Sequence, residues 1–231
     1  MNYKEQARKY FSAVNNYDAS TIEKMVDENY IQHNPFLATG RKPFLVFLQK
    51  LKESAAQIEN IRLFEDNKHV IMQHKWKNAG AFGSDEMKAF HIIRFNNEGL
   101  IAEHWNVIEE SHTALVPQTS ASLYDLEKTE ENKTHIKVLM NALILNPKEV
   151  SSLNAFDYSG IVYQKLHVVF GEANLVLAIS EGRVHGTQCA IYNLFKIEDK
   201  KIVDHWVIKQ KIPTENLANT NTMFGFNPLR T

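Results

Sequence analysis

Apolar positions along the chain change period in a repeating order. Near the start, Ala7, Tyr10, Phe11 and Val14 recur at spacings of three and four, the mark of an amphipathic helix. A second short helix is predicted in STIEKMVDE, capped by Asp18 or Ser20. A strand in NYIQHNPF follows, then a turn at Thr39–Gly40 and a helix carrying Phe44, Phe47, Leu48 and Leu51. The period then falls to two. IRLFEDNKHVIMQHKW reads as two strands around a polar turn, and AFHIIRFNNEGLIAEHWNVIEE as two more.

The second half repeats the order. Ile136, Leu139, Met140 and Leu143 share a helical face, and YQKLHVVFGEANLVLAIS and IYNLFKIEDKKIVDHWVIKQK each predict a strand pair. EHWN at Glu103–Asn106 and DHWV at Asp204–Val207 occupy matching places. Where the first half has its third helix, the second offers only DYSG, so the second unit is predicted to lack a strand and a helix. Helices followed by a strand meander imply an α+β fold with helices on one face of a curved antiparallel sheet. The boundaries expected are a complete module over 1–112, a linker over 113–124, and a shortened module with a C-terminal tail over 125–231. Met223, Phe224 and Phe226 are too apolar to be left in water, so the tail is expected to pack back across a module.

Composition narrows the function classes. Of 231 residues 44% are hydrophobic and 23% charged, as in an ordinary soluble protein. Lysine and arginine number 26 against 27 acidic residues, which gives no basic surplus for nucleic acid. Cys189 is the lone cysteine, so an intramolecular disulfide and CxxC-type sites are excluded. No apolar run reaches membrane-spanning length and the N-terminus has no signal-like core, so no membrane association is expected and the cytoplasm is the expected location.

Strand alternation selects the candidate site. Ala89, His91, Ile93 and Phe95 share one face, and Ala102, His104, Asn106 and Ile108 share another. A hairpin turning at Asn97–Glu98–Gly99 places His91 opposite Asn106 and Ile93 opposite His104. Val70, Met72, His74 and Trp76 form a third such face, and His33 and Asn34 end the preceding strand. The candidate pocket of the first module therefore has His91 and Asn106 at its centre, with His33, Asn34, His74, Trp76 and His104 around them. Glu103 and Trp105 fall on the opposite, outer face. The pocket histidines are joined by neither cysteine nor carboxylate and HExxH is absent, so no metal is expected.

YIQHNPFLATGRKPFLVFL followed by HIIRFNNEGLIAEHWNV resembles the SnoaL-like polyketide cyclase family of the nuclear transport factor 2-like superfamily, and the second half resembles its C-terminal part. The resemblance implies two cone-shaped modules, each with a small-molecule pocket on its concave sheet face. Pairing through the outer faces is implied too, either as a pseudo-dimer within one chain or as a homodimer. It implies ring closure by intramolecular aldol chemistry without metal or organic cofactor, with a carboxylate after the EHW triplet as acid/base. Here that position is Asn106, and Val207 in the repeat, neither of which exchanges a proton near neutral pH. His91 is the candidate to take over proton transfer, with Asn106 hydrogen-bonded to it or to a substrate oxygen. Two classes follow: a cofactor-independent cyclase, isomerase or lyase acting on a small, largely apolar metabolite, or a non-catalytic ligand-binding or scaffold protein of the same fold.

Overall fold

A computed structural model describes residues 1–111, 123–146 and 160–226. Contacts divide the chain into two units, Met1–Ser120 with Pro213–Thr231, and Ala121–Ile212. Helix α1 (Tyr3–Asn15) is capped by the Asn2 side chain, which accepts from the Glu5 N–H, and buries Ala7, Tyr10, Phe11 and Val14 as their spacing predicts. Asp18 caps α2 (Ala19–Met25) by accepting from the Thr21 N–H, while Ser20 bonds to Asp18 and takes no capping role of its own. Strand β1 (Val26–Gln32) leads to a turn at Asn34–Leu37 and to α3 (Arg41–Glu53). Gly40 adopts φ +98° at the α3 N-cap, a backbone state that favours glycine, and its N–H donates to the Tyr30 carbonyl. Phe44, Leu48 and Leu51 of α3 join the α1 stripe over the sheet.

That sheet has the order β1-β5-β4-β3-β2, with β2 (Gln57–Asp66), β3 (His69–Lys77), β4 (Glu86–Phe95) and β5 (Ile101–Glu110) forming an antiparallel meander. Strand β1 runs parallel to β5 at the edge, pairing Gln32 with His104. Ladder irregularities at Arg94/Phe95 and Asn60/Arg62 mark β-bulges, which bend and twist strands. On the helix-facing side Val70, Met72, Ala89 and Ile93 are fully buried or nearly so. On the other side Ile71, Phe90, Ile92 and Trp105 are equally buried, so β3–β5 are apolar on both faces.

The second unit is also α+β. Helix α4 (Thr129–Leu145) packs Ile136, Met140 and Leu143 against Val176, Ala178, Ile191 and Phe195 of a four-stranded antiparallel sheet. Its order is β6-β7-β8-β9, comprising β6 (Ile161–Glu172), β7 (Leu175–Val184), β8 (Thr187–Glu198) and β9 (Lys201–Lys211). The first turn of α4 is tied to the β6–β7 turn, where the Ala173 N–H donates to Thr129 and Asn132 donates to the Ala173 carbonyl. Tyr163 and His205 both bond to Asn193 Oδ1, at 2.9 and 3.1 Å. Phe156 and Tyr158 lie outside the described residues, as does most of the expected linker. Tyr192 is buried, but it alternates with Ile191 and Asn193 and so occupies the face away from α4.

The tail departs from the expected boundary. It follows β9 in sequence yet belongs to the first unit. Asn219 Nδ2 donates to the carbonyls of Asn34 and Leu37, both at 2.7 Å, and Asn221 Nδ2 to the Gln32 carbonyl at 3.0 Å. Phe226 stacks on Trp105 with ring centroids 4.6 Å apart. Apolar content requires that the tail be covered but does not say by which unit; these carbonyls decide it. Among the described residues no helix is long and apolar enough to cross a membrane.

Candidate functional site

Strand β4 presents His91 opposite Asn106 of β5, and Ile93 opposite His104, in the register that alternation predicts. His91, His104 and Asn106 form the floor of a narrow cavity in the first unit. Tyr10, Phe11 and Val14 from α1, Phe44, Phe47 and Leu51 from α3, and Leu37 from the turn after β1 make its walls, with Ile58, Trp76 and Phe82 closing the sides. The space open to the centre of a water molecule is about 20 Å³, enough for a single water. Among the described residues no lysine, arginine, aspartate or glutamate lines it.

The floor is a chain of hydrogen bonds. Trp76 Nε1–H donates to His91 Nε2 at 3.3 Å, and His91 Nδ1 lies 2.8 Å from His104 Nε2. His104 Nδ1 is 2.9 Å from the Tyr30 hydroxyl, which also accepts from Gln32 Nε2 at 2.9 Å. Gln32 is fixed in turn, because its Oε1 accepts from the Asn34 N–H. Both His91 nitrogens are thus engaged, and neither meets Asn106, so of the two partners expected for Asn106, His91 or a substrate oxygen, the first is not formed. The register pairs these two residues as neighbours, but His104, the diagonal partner on β5, and the long Trp76 side chain from further along β3 take the ring nitrogens. Asn106 Oδ1 is buried with no hydrogen-bond partner among the described residues.

Burial keeps these histidines neutral. It pushes His104 down to about 3, assisted by the charge of His33, and drives His91 well below 6.5, assisted by His74 and His104. His74 is depressed to about 3 by the same burial and by His104. Tyr30 is driven upward, first by burial and then by Tyr10, so its phenol stays protonated.

The other expected pocket residues separate. His74 is fully buried with both ring nitrogens unpartnered among the described residues, but it sits behind the cavity, its ring 4.4 Å from Phe11 and 4.9 Å from His91. His33 and Asn34 are not pocket groups. Gln32 shares the face of His104, so the next residue along the extended chain, His33, falls on the face of Trp105. There it stacks on Trp105 at 4.4 Å, donates Nδ1–H to the Thr222 carbonyl, and brings Nε2 within 3.6 Å of Glu103. Glu103 is buried too. Burial alone would raise it, but the nearby His33 ring and the hydrogen-bonded Arg94 guanidinium outweigh that and hold it at about 2. Asn34 builds the turn, its Oδ1 accepting from the Phe36 N–H. Tyr30, Gln32 and Leu37 were not foreseen as site residues. Their only signal was proximity to the HNP turn, and a parallel edge strand leaves no local mark of its partner.

Comparison with known proteins follows this geometry. A family model described as a SnoaL-like domain matches residues 7–104. Among solved structures the chain is similar to TsrD from Streptomyces laurentii, at 14% identity over 46% of this chain and 86% of that one, with a TM-score of 0.40. IdmH from Streptomyces antibioticus, a proposed polyketide cyclase, gives 15% identity over 47% and 93%, with a TM-score of 0.41. A proposed ketosteroid isomerase from Kribbella flavida gives 19% identity over 52% and 91%, with a TM-score of 0.41. No curated protein matches. Residues 7–104 of the chain are thus similar to the SnoaL-like domain family.

Proposed function

We propose that the first unit binds a small, uncharged, largely apolar molecule in the cavity above His91 and Asn106. The observation that carries this reading is Asn106 Oδ1, a buried acceptor without a partner among the described residues, in a largely apolar cavity that no described lysine, arginine, aspartate or glutamate lines. Leaving such a group unsatisfied costs about 1–3 kcal/mol, and a ligand hydroxyl or enol repays it by donating to Oδ1. Phosphates, carboxylates and amines meet no counter-charge there, and desolvating them into this setting is costly. The cavity has room for a single water, so seating such a molecule requires wall side chains to move, and Leu37, Phe47 and Phe82 are its half-buried ones. Screening uncharged hydroxy- and keto-compounds by thermal shift tests the reading. The expected hit raises the melting temperature of the wild type and has no effect on Asn106→Leu. Hits confined to charged compounds, or hits indifferent to Asn106→Leu, contradict it.

A second reading is cofactor-independent isomerase or cyclase chemistry, and it is favoured by one feature. His91 is neutral and lines the cavity, and its Nε2 is held by a single 3.3 Å bond. An imidazole released from that bond accepts a proton from an activated carbon, while the Asn106 amide donates to the developing enolate oxygen. Removing such a base costs about 10²–10⁴-fold in rate, so His91→Gln separates the readings: turnover falls while binding persists. The second unit, with Asn193 and Val207 at the corresponding positions, is proposed as a duplicated structural partner.

A further inference from the structure

We infer that Trp76 acts as a positioning residue, setting the direction of the hydrogen-bond chain Trp76–His91–His104–Tyr30 and making Nε2 of His91 the proton-accepting atom at the cavity. The functional half of this inference rests on the acid/base reading above; the directional half does not.

The direction follows from donor and acceptor counts. An indole nitrogen only donates, so the Trp76 bond requires a lone pair on His91 Nε2. A neutral imidazole carries one proton, so that proton is on Nδ1 and donates to His104 Nε2. His104 must then carry its own proton on Nδ1, where it donates to the Tyr30 oxygen. Gln32 donates to the same oxygen, and a phenol oxygen has two lone pairs for the two bonds. In the reversed chain, Tyr30 would donate to His104 Nδ1 and His104 Nε2–H to His91 Nδ1. The Gln32 bond survives either way. Reversal fails at Trp76, where two N–H groups would face each other, whereas the forward chain leaves the Tyr30 O–H without an acceptor among the described residues but keeps four hydrogen bonds against three. Loss of one buried hydrogen bond disfavours the reversed form on the order of tenfold or more.

The consequence is chemical. When a ligand C–H or O–H meets Nε2, that bond breaks and its electron pair stays on the ligand. The N–H bond forms at Nε2 as the Trp76 N–H releases its hold. The Nδ1 proton of His91 moves toward His104 Nε2, sharing the positive charge over two rings. Return of the Nε2 proton to another ligand atom restores the chain, so an isomerisation consumes no co-reactant. With the reversed chain, Nε2 would already be protonated and could not begin the step.

Nitrogen-15 histidine spectra of the unliganded full chain near neutral pH test the direction without any ligand. Wild type is expected to show both His91 and His104 as Nδ1–H tautomers. In Trp76→Phe the two rings are expected to acquire Nε2–H character together, because the obstacle to reversal is gone. In Tyr30→Phe, with Trp76 intact, His91 is expected to remain Nδ1–H. An Nε2–H His91 in wild type overturns the inference, as does an unchanged pair in Trp76→Phe or a His91 that reverses in Tyr30→Phe. Should Trp76→Phe fail to fold, the wild-type and Tyr30→Phe spectra still decide. Absence of turnover with correct tautomers refutes the acid/base reading and leaves the direction standing.

Discussion

Replacing Asn106 by leucine is expected to stabilise the unliganded protein. Asn106 is 3% exposed, and its Oδ1 is buried without a partner among the described residues. Such an acceptor costs about 1–3 kcal/mol relative to an apolar group of similar shape. Leucine removes that cost and adds apolar contact with Phe11, Phe44 and Leu51, which line the same cavity. These gains overlap, so the expected increase is about 1–3 kcal/mol, or about 3–10 °C in melting temperature for a unit of this size. A water seated in the cavity lowers the gain toward zero without reversing it. Urea unfolding followed by tryptophan fluorescence measures the change. Trp206→Phe as a common background leaves Trp76 and Trp105, both in the first unit, as the reporters. A loss of more than about 1 kcal/mol refutes the reasoning, since it would make Asn106 a structural group and not one retained for a ligand.

Other outcomes follow from the same structure. Arg94→Met leaves Glu103 buried beside His33 and is expected to cost about 3–5 kcal/mol, read by the same unfolding assay. Glu103 is depressed in the folded state, so its contribution is present above about 4.5 and disappears as pH falls toward about 2. The buried histidines act in the same direction at higher pH. His74 and His104 are lowered from 6.5 to about 3, so the stability they confer as neutral groups is full above about 6.5 and lost as pH falls toward about 3. His74→Leu is accordingly expected to flatten the acid limb of a stability–pH curve. Asn219→Ala removes two hydrogen bonds to the Asn34–Leu37 turn, at about 0.5–1.5 kcal/mol each, and should raise amide exchange at Leu37, the turn residue on the cavity wall.

What was legible in the sequence, and what was not, divides along local and non-local lines. The β4–β5 hairpin could be read because its turn and both alternating strands are adjacent in the chain. That placed His91, His104 and Asn106 on the cavity face. Helical stripes likewise fixed Phe11 and Phe44 as inward-facing. His33 was misplaced because its face depends on how β1 meets β5, a parallel contact between segments some seventy residues apart in the chain. Tyr30 and Gln32 were missed for the same reason. The tail offered apolar residues but no hint that Asn219 and Asn221 would satisfy the carbonyls of the HNP turn. Hydrogen-bond partners were the least legible of all. Two imidazoles and an indole on one face allow several pairings, and only the offsets between strands choose Trp76–His91–His104.

The central claim is that the cavity over Asn106 is the binding site. A crystal structure of the full chain with an uncharged hydroxy- or keto-compound from the thermal-shift screen tests it most directly. The account predicts the compound enclosed between Phe11, Phe44 and Leu37, with an oxygen about 2.7–3.2 Å from the Asn106 amide. A compound seated on the His33–Trp105 face, or in the cavity with Asn106 still unpartnered, would contradict it.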